Sequence, residues 1–178
     1  MKSTNSRRDF LKVSALSGGG MLLSFIFPGF ELNAAPILVA DFTPNAYIKI
    51  SANGNIVLLA PNPEIGQGVK TSLPIIIAEE LCVDWKKIKV ELAPLDSKFG
   101  RQTAGGSGSV RGRFAELRKI GATAREMLVT AAAQTWNVPP TECVAENGTV
   151  LHKPSGKKLS FGELAAKELL WKCRQILP

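Results

Sequence analysis

Two glycine-rich stretches carry the residue types best able to do chemistry. The first, Pro63–Thr71, has the sequence PEIGQGVKT and places Gln67 between Gly66 and Gly68. A glutamine amide offers donors and an acceptor without charge. Flanking glycines, which lack a Cβ, allow the backbone to approach a ligand closely. The pattern predicts a tight loop whose amide reaches a ligand, with a turn and an incidental glutamine as the alternative.

The second stretch, Gln102–Arg113, has the sequence QTAGGSGSVRGR. It is not a Walker A loop, because no Gly-Lys-Ser/Thr follows at the required spacing. Its glycines and hydroxyls suit an anion, and Arg111 and Arg113 offer charge for a phosphate. A flexible surface loop is the alternative. The residues predicted to bind are Gly105, Gly106, Ser107, Gly108 and Ser109.

No nucleophile–base pair is visible, and no catalytic residue is assigned. His152 is the only histidine and falls in a predicted hairpin, so a structural or solvated role is expected. The thiols Cys82, Cys143 and Cys173 are widely spaced and fit no zinc pattern. They are predicted to be buried or unpaired thiols, with one disulfide among them as the alternative.

Each loop is expected to connect a strand to a helix. Alternating apolar residues around Asn53-Gly54 predict a hairpin with a type I′ turn, and a further strand is predicted over 88–92. Helices are predicted over 69–82 and from the second loop to Trp136. The expected buried face of the longer helix, close-packed on a sheet, is Val110, Phe114, Leu117, Gly121, Ala124, Leu128 and Ala131.

The order ββαβα predicts an α+β domain with a mixed sheet covered on one face by helices. That domain is assigned to residues 36–137. A small appendage over 138–178 follows, with a hairpin turning at Asn147-Gly148 and a capping box from Ser160 to Glu163 before a short helix.

The N-terminus is predicted to be an export signal. Arg7 and Arg8 lie in the segment SRRDFLK. This segment is followed by an apolar stretch that contains several glycines, and then by the small residues Ala34 and Ala35. This pattern indicates a Tat signal over residues 1–35, a periplasmic protein and only transient membrane contact. The net charge of +7 is scattered, with no basic run interleaved with aromatics, which disfavours a nucleic-acid partner.

The segments PEIGQGVKTSLPIIIAEELCVDWKKIKVELAP, TAGGSGSVRG and RKIGATAREMLVTAAAQTW, between about Asn45 and Glu163, resemble the molybdenum-binding subunits of the xanthine dehydrogenase/aldehyde oxidase family. Within that family, the sequence looks like the isoquinoline 1-oxidoreductase beta-subunit type. The resemblance implies that Gln67 approaches the apical ligand of molybdenum. It implies that the Gly105–Ser109 loop contacts the phosphate or nucleotide part of molybdopterin cytosine dinucleotide.

The family's activity, as the resemblance implies it, is hydroxylation of an aldehyde or N-heterocycle carbon with oxygen from water. Electrons pass to a separate iron–sulfur subunit. The family's glutamate base lies in a GEPG-type motif, which this sequence lacks, and the C-terminal ELLWKCRQILP does not continue the family pattern.

We therefore expect a truncated or frameshifted N-terminal portion that is inactive alone and needs the missing molybdenum-binding portion as partner. The alternatives are an exported non-catalytic module for an anionic or nucleotide-like ligand, and a ligand-free gene remnant.

Overall fold

The computed structural model describes residues 41–167, which fall within one compact unit. The predicted export segment with Arg7 and Arg8, and the C-terminal stretch with Cys173, lie outside the described residues. Within the described range, no helix combines the length and apolar character needed to cross a bilayer.

The main sheet has four strands: β1 (Phe42–Asn45), β2 (Ile48–Ile50), β3 (Ile56–Ala60) and β4 (Ile88–Leu92). They lie in the order β1-β2-β3-β4. The first three are antiparallel neighbours, whereas β4 runs parallel to β3. The fold is mixed helix and sheet, as predicted, but β1 precedes the predicted hairpin, so the element order begins βββαβα.

The two Asn-Gly turns differ. Gly54 has a φ of 88° and donates its N–H to the Ser51 carbonyl over 2.9 Å, but Asn53 has no positive φ. The predicted type I′ turn is therefore wrong here, because that turn requires two left-handed residues. At Asn147 and Gly148, where a hairpin turn was predicted, both φ angles are positive, 49° and 77°, as a type I′ turn requires.

Two helices cover one face of the sheet: α1 (Val69–Leu81) and α2 (Ser109–Trp136). Their contact is close at Gly121, where an added Cβ would lie 2.6 Å from the Ile77 carbonyl oxygen. The small residue thus serves helix–helix packing rather than the predicted packing on the sheet. Pro74 is the sixth residue of α1.

The buried face of α2 departs from the prediction at its N-terminal end. Leu117 and Leu128 are fully buried, but Val110 and Phe114 are 40% and 49% exposed. Arg113 is buried instead, with 7% exposure. Arg113 lies four positions before Leu117 and Phe114 lies three before it, so helical spacing allows either on the buried stripe.

The C-terminal part forms a second sheet from β5 (Cys143–Glu146), β6 (Thr149–His152) and β7 (Lys158–Ser160), followed by α3 (Phe161–Ala165). Strand β7 was not predicted, whereas the capping box before α3 is present. The boundary between 137 and 138 stays a prediction. Residues of this part that join the same buried apolar cluster as the main sheet are Ala145, Val150, Phe161, Leu164 and Ala165.

Candidate functional site

Both glycine-rich loops follow the carboxyl ends of neighbouring strands of the main sheet. Strands β3 and β4 are parallel neighbours that pair Ala60 with Leu92, so their carboxyl ends lie side by side. The first loop runs from Ala60 to α1, and the second from Leu92 to α2. Crevices outside the carboxyl ends of parallel strands are a common location for ligand sites.

A buried side-chain pair joins the two loops. Asn62, in the first loop, is 4% exposed, and Arg113, at the start of α2, is 7% exposed. Arg113 Nε donates to Asn62 Oδ1 over 2.8 Å, and Asn62 Nδ2 donates to the Thr103 carbonyl over 2.8 Å. The pair holds the first loop against the second because each amide atom of Asn62 is bonded across the gap.

Each nitrogen of the Arg113 guanidinium donates to protein atoms. The group donates to the Arg101 carbonyl over 2.7 Å, to Tyr47 Oη over 3.3 Å and to Glu116 Oε2 over 3.2 Å. Burial, followed by the nearby Glu116 carboxylate, raises the pKa of Tyr47. The charge of Arg113 braces the two loops, and its predicted contact with a phosphate stays a prediction.

Gln102 supplies a second brace. Its Nε2 donates to the Pro61 and Pro94 carbonyls, each over 2.9 Å, and its Oε1 accepts from Asp96 N–H over 2.8 Å. One amide thus fixes the segments that follow β3 and β4 relative to each other.

The first loop requires its glycines because Gly66 and Gly68 have φ angles of 97° and 81°. Glu64 organises their N–H groups: Oε1 accepts from Gly66 over 2.8 Å and Gly68 over 3.0 Å, and Oε2 accepts from Lys70 over 2.8 Å. The Lys70 N–H bond, followed by that of Gly68, holds the pKa of Glu64 below its ordinary value of 4.5. Glu64 therefore caps the start of α1.

Gln67 lies in the same loop with its amide folded back. Its Oε1 accepts from Ile65 N–H over 2.6 Å, and its Nε2 donates to the Pro63 carbonyl over 2.9 Å. The side chain is exposed, and both bonds are local. Its reach toward a metal's ligand stays a prediction, and it would require these bonds to open.

The second loop forms the wall of a cleft of about 320 Å³. Of its five predicted binding residues, Gly105, Gly108 and Ser109 line the cleft, whereas Gly106 and Ser107 form the left-handed turn beside it, with φ angles of 62° and 50°. Gln67 does not line the cleft. The remaining lining residues are Asn62, Gly100, Arg101, Thr103, Gly112, Arg113 and Glu116.

The cleft suits the anionic part of a phosphate-bearing cofactor. Apart from adjacent residues and the backbone of α2 itself, no protein atom lies within 4 Å of a Cβ placed at Gly105 or Gly112, so the glycine wall is open. The exposed Arg101 and the start of the 28-residue α2 add positive potential. A cleft of about 320 Å³ is at the small end for a ligand site, so it fits a phosphate or pyrophosphate rather than a whole pterin dinucleotide.

The other candidate residues serve the structure. His152 is 6% exposed, and its Nε2 and Nδ1 lie 2.8 Å from Glu142 Oε2 and 2.6 Å from Ser155 Oγ. The structural role was predicted, but its partners were not. Cys82 and Cys143 are free thiols.

Sequence reasoning missed Asn62, Glu64, Gln102 and the brace role of Arg113. Asn62 carried a weak signal, a polar residue between two prolines directly after a buried strand. Arg113 carried another, since it lies four residues before the buried Leu117.

The molybdopterin cofactor-binding domain family matches residues 15–175, and the chain belongs to this family. The chain is 36% identical over 135 residues to isoquinoline 1-oxidoreductase subunit beta of Brevundimonas diminuta, covering 72% of this chain and 17% of that protein. It is 32% identical over 167 residues to a membrane-bound aldehyde dehydrogenase [pyrroloquinoline-quinone] of Gluconacetobacter polyoxogenes, covering 91% of this chain and 21% of that protein. The chain thus spans about a fifth of these relatives' length.

The fold is similar to part of the crystal structure of quinoline 2-oxidoreductase from Pseudomonas putida 86. The TM-score is 0.51 at 20% sequence identity, covering 67% of this chain and 15% of that chain.

Proposed function

We propose that this chain is the N-terminal cofactor-binding portion of a molybdenum hydroxylase that oxidises aldehydes or N-heterocycles with oxygen from water. The observation that carries the proposal is the Asn62–Arg113 bond, which joins the two glycine-rich loops beside an open cleft. The family match and the names of the relatives support the substrate class.

Molybdopterin cytosine dinucleotide is the proposed cofactor, and when bound it supplies the transfer of oxygen from water and accepts the electrons. The chain's own residues bind and orient it. Gly105, Gly108 and Ser109 receive a phosphate in the cleft. Gln67 presents its amide from the neighbouring loop after exchanging its bonds to Ile65 and Pro63.

No residue of this chain is assigned as the general base, since the sequence holds no GEPG-type glutamate. Turnover is therefore proposed to need the rest of the molybdenum-binding polypeptide and an iron–sulfur subunit. By itself the chain is proposed to be inactive. The twin arginines Arg7 and Arg8 support export by the Tat route to the periplasm.

A second candidate is an exported module that binds an anion without catalysis. The internal hydrogen bonds of the Gln67 amide favour it, because they occupy the amide and Gln67 does not line the cleft.

The test is metal and nucleotide analysis of the chain purified with the remaining molybdenum-subunit polypeptide. Molybdenum and released CMP in equal amounts are expected. Phosphate or nucleotide binding without molybdenum would favour the second candidate. Absence of both would leave the ligand-free remnant.

A further inference from the structure

An apolar ledge lies beside the cleft, at the ends of β3 and β4. We define it as Pro61, Pro63, Leu92 and Leu95, which line one groove of about 190 Å³. Leu92 is 47% exposed and Leu95 is 92% exposed. Asn62 lines both this groove and the cleft, so the ledge and the cofactor-binding cleft are neighbours.

The ledge continues from an open sheet edge. Among the described residues 41–167, β4 pairs only with β3. Ala93 donates its N–H to the Ala60 carbonyl over 2.9 Å, which fixes the side of the strand facing β3. Because successive residues of a strand alternate, the backbone groups of Val90 and Leu92 point away from β3. An edge of this kind accepts a further strand.

We propose that the ledge and the open edge of β4 bind an extended, apolar segment of the remaining molybdenum-subunit polypeptide. This inference rests on the proposed function and names the surface through which the two portions meet. Strand addition draws affinity from backbone hydrogen bonds and specificity from side-chain pockets, and this surface offers both.

The relatives' length supports this occupant over a second copy of the chain. The matched region is 17% and 21% of two of them, so most of each relative's polypeptide is available to cover the ledge. A segment seated on the ledge also lies beside the cleft, and so shields a bound cofactor from water.

The experiment co-expresses the full chain with a tagged probe, the part of the Brevundimonas diminuta subunit outside the matched 135 residues. Cells unable to make the molybdenum cofactor are used, so that association is read independently of cofactor binding. Co-purification of wild-type chain with the probe is expected. Leu92→Asp and Leu95→Asp are expected to weaken it about tenfold, because each places a charge in an apolar contact.

Ile75→Asp is the matched control, since Ile75 is 43% exposed on α1 and is not part of the ledge. It is expected to co-purify like the wild type, with all variants giving the wild-type circular dichroism spectrum. Undiminished co-purification of the ledge variants, no binding of wild type to soluble probe, or self-association through the ledge would each overturn the proposal. Binding here with no molybdenum in cofactor-producing cells would reject the proposed function alone.

Discussion

Arg113 Nε lies 2.8 Å from Asn62 Oδ1, and this buried hydrogen bond connects the two loops of the candidate site. Asn62 lies directly before the first glycine-rich stretch, and Arg113 is the last residue of the second. The bond couples the positions of the two loops. Separating them would leave the buried Asn62 amide without hydrogen-bond partners and remove one partner from the Arg113 guanidinium.

Replacing Arg113 with lysine should destabilise the fold and weaken the site. Lysine keeps the charge but cannot reach Asn62 and the Arg101 carbonyl together, as the planar guanidinium does. We expect a loss of about 2 kcal/mol in the free energy of unfolding, measured with urea. Arg111→Lys, at an exposed position in the same helix, should change it by less than about 0.5 kcal/mol. Equal effects would refute the brace role.

The first loop should loosen in acid. Glu64 has its pKa lowered by N–H donors, so its stabilising effect is complete above the carboxyl's unfolded pKa and is lost as pH falls through the lower folded pKa. The hydrogen-exchange protection factors of Gly66 and Lys70, corrected for the intrinsic exchange rate at each pH, should therefore fall as the pH is lowered below 4.5. In Glu64→Gln the protection factors of these amides should be low at every pH, because the NH₂ group replaces an acceptor. Glu79→Gln, at an exposed position of α1, should keep the pH dependence.

Two glycines of α2 should respond oppositely to alanine. At Gly121 the added methyl meets the Ile77 carbonyl at 2.6 Å, so Gly121→Ala should cost about 1–3 kcal/mol by separating the helices. Gly112 is exposed with an open Cβ position, so Gly112→Ala should stabilise the helix by up to about 1 kcal/mol. Thermal melts measure both. A neutral Gly121→Ala would contradict the close contact.

His152→Ala should destabilise the second sheet. It removes a buried ring and its bonds to Glu142 and Ser155, which together predict a loss of about 2–3 kcal/mol. Trp136, whose ring centre lies 6.1 Å from that of His152, should report the change by fluorescence. Lys153→Ala, exposed next to it, should match the wild type. An unshifted melt for His152→Ala would show that the contacts are dispensable.

Gln67→Ala should reduce turnover of the reconstituted enzyme about 10- to 100-fold while leaving the global fold intact. Because the substitution also removes the bonds to Ile65 and Pro63, Gln67→Glu is the useful comparison. Glutamate keeps an acceptor for the Ile65 N–H but lacks the amide donor. Steady-state rates and molybdenum content separate the two effects. Unchanged turnover in both variants would reject the role of the amide.

The parts of the fold that depend on local patterns were predictable. The start of α1 follows Gly68 and the box before α3 uses Ser160, and both were read from neighbouring residues. Long-range partners were not predictable, since helical spacing alone cannot decide whether Phe114 or Arg113 is buried. That choice depends on Asn62, which lies 51 positions away in the sequence. The order of the predicted elements indicated that each loop connects a strand to a helix. The hydrogen bonds between the two loops required the structure.

The parallel pairing of β3 with β4 also has a consequence for folding kinetics. A parallel pair joined through a helix forms only after a non-local encounter, which slows folding relative to a hairpin. The cleft therefore exists only in chains that have completed this step. A ligand that binds there recognises the native state alone and should raise the midpoint of thermal unfolding in proportion to the logarithm of its excess over Kd. Ligand binding in the cleft should therefore follow the pairing of β3 with β4 during folding.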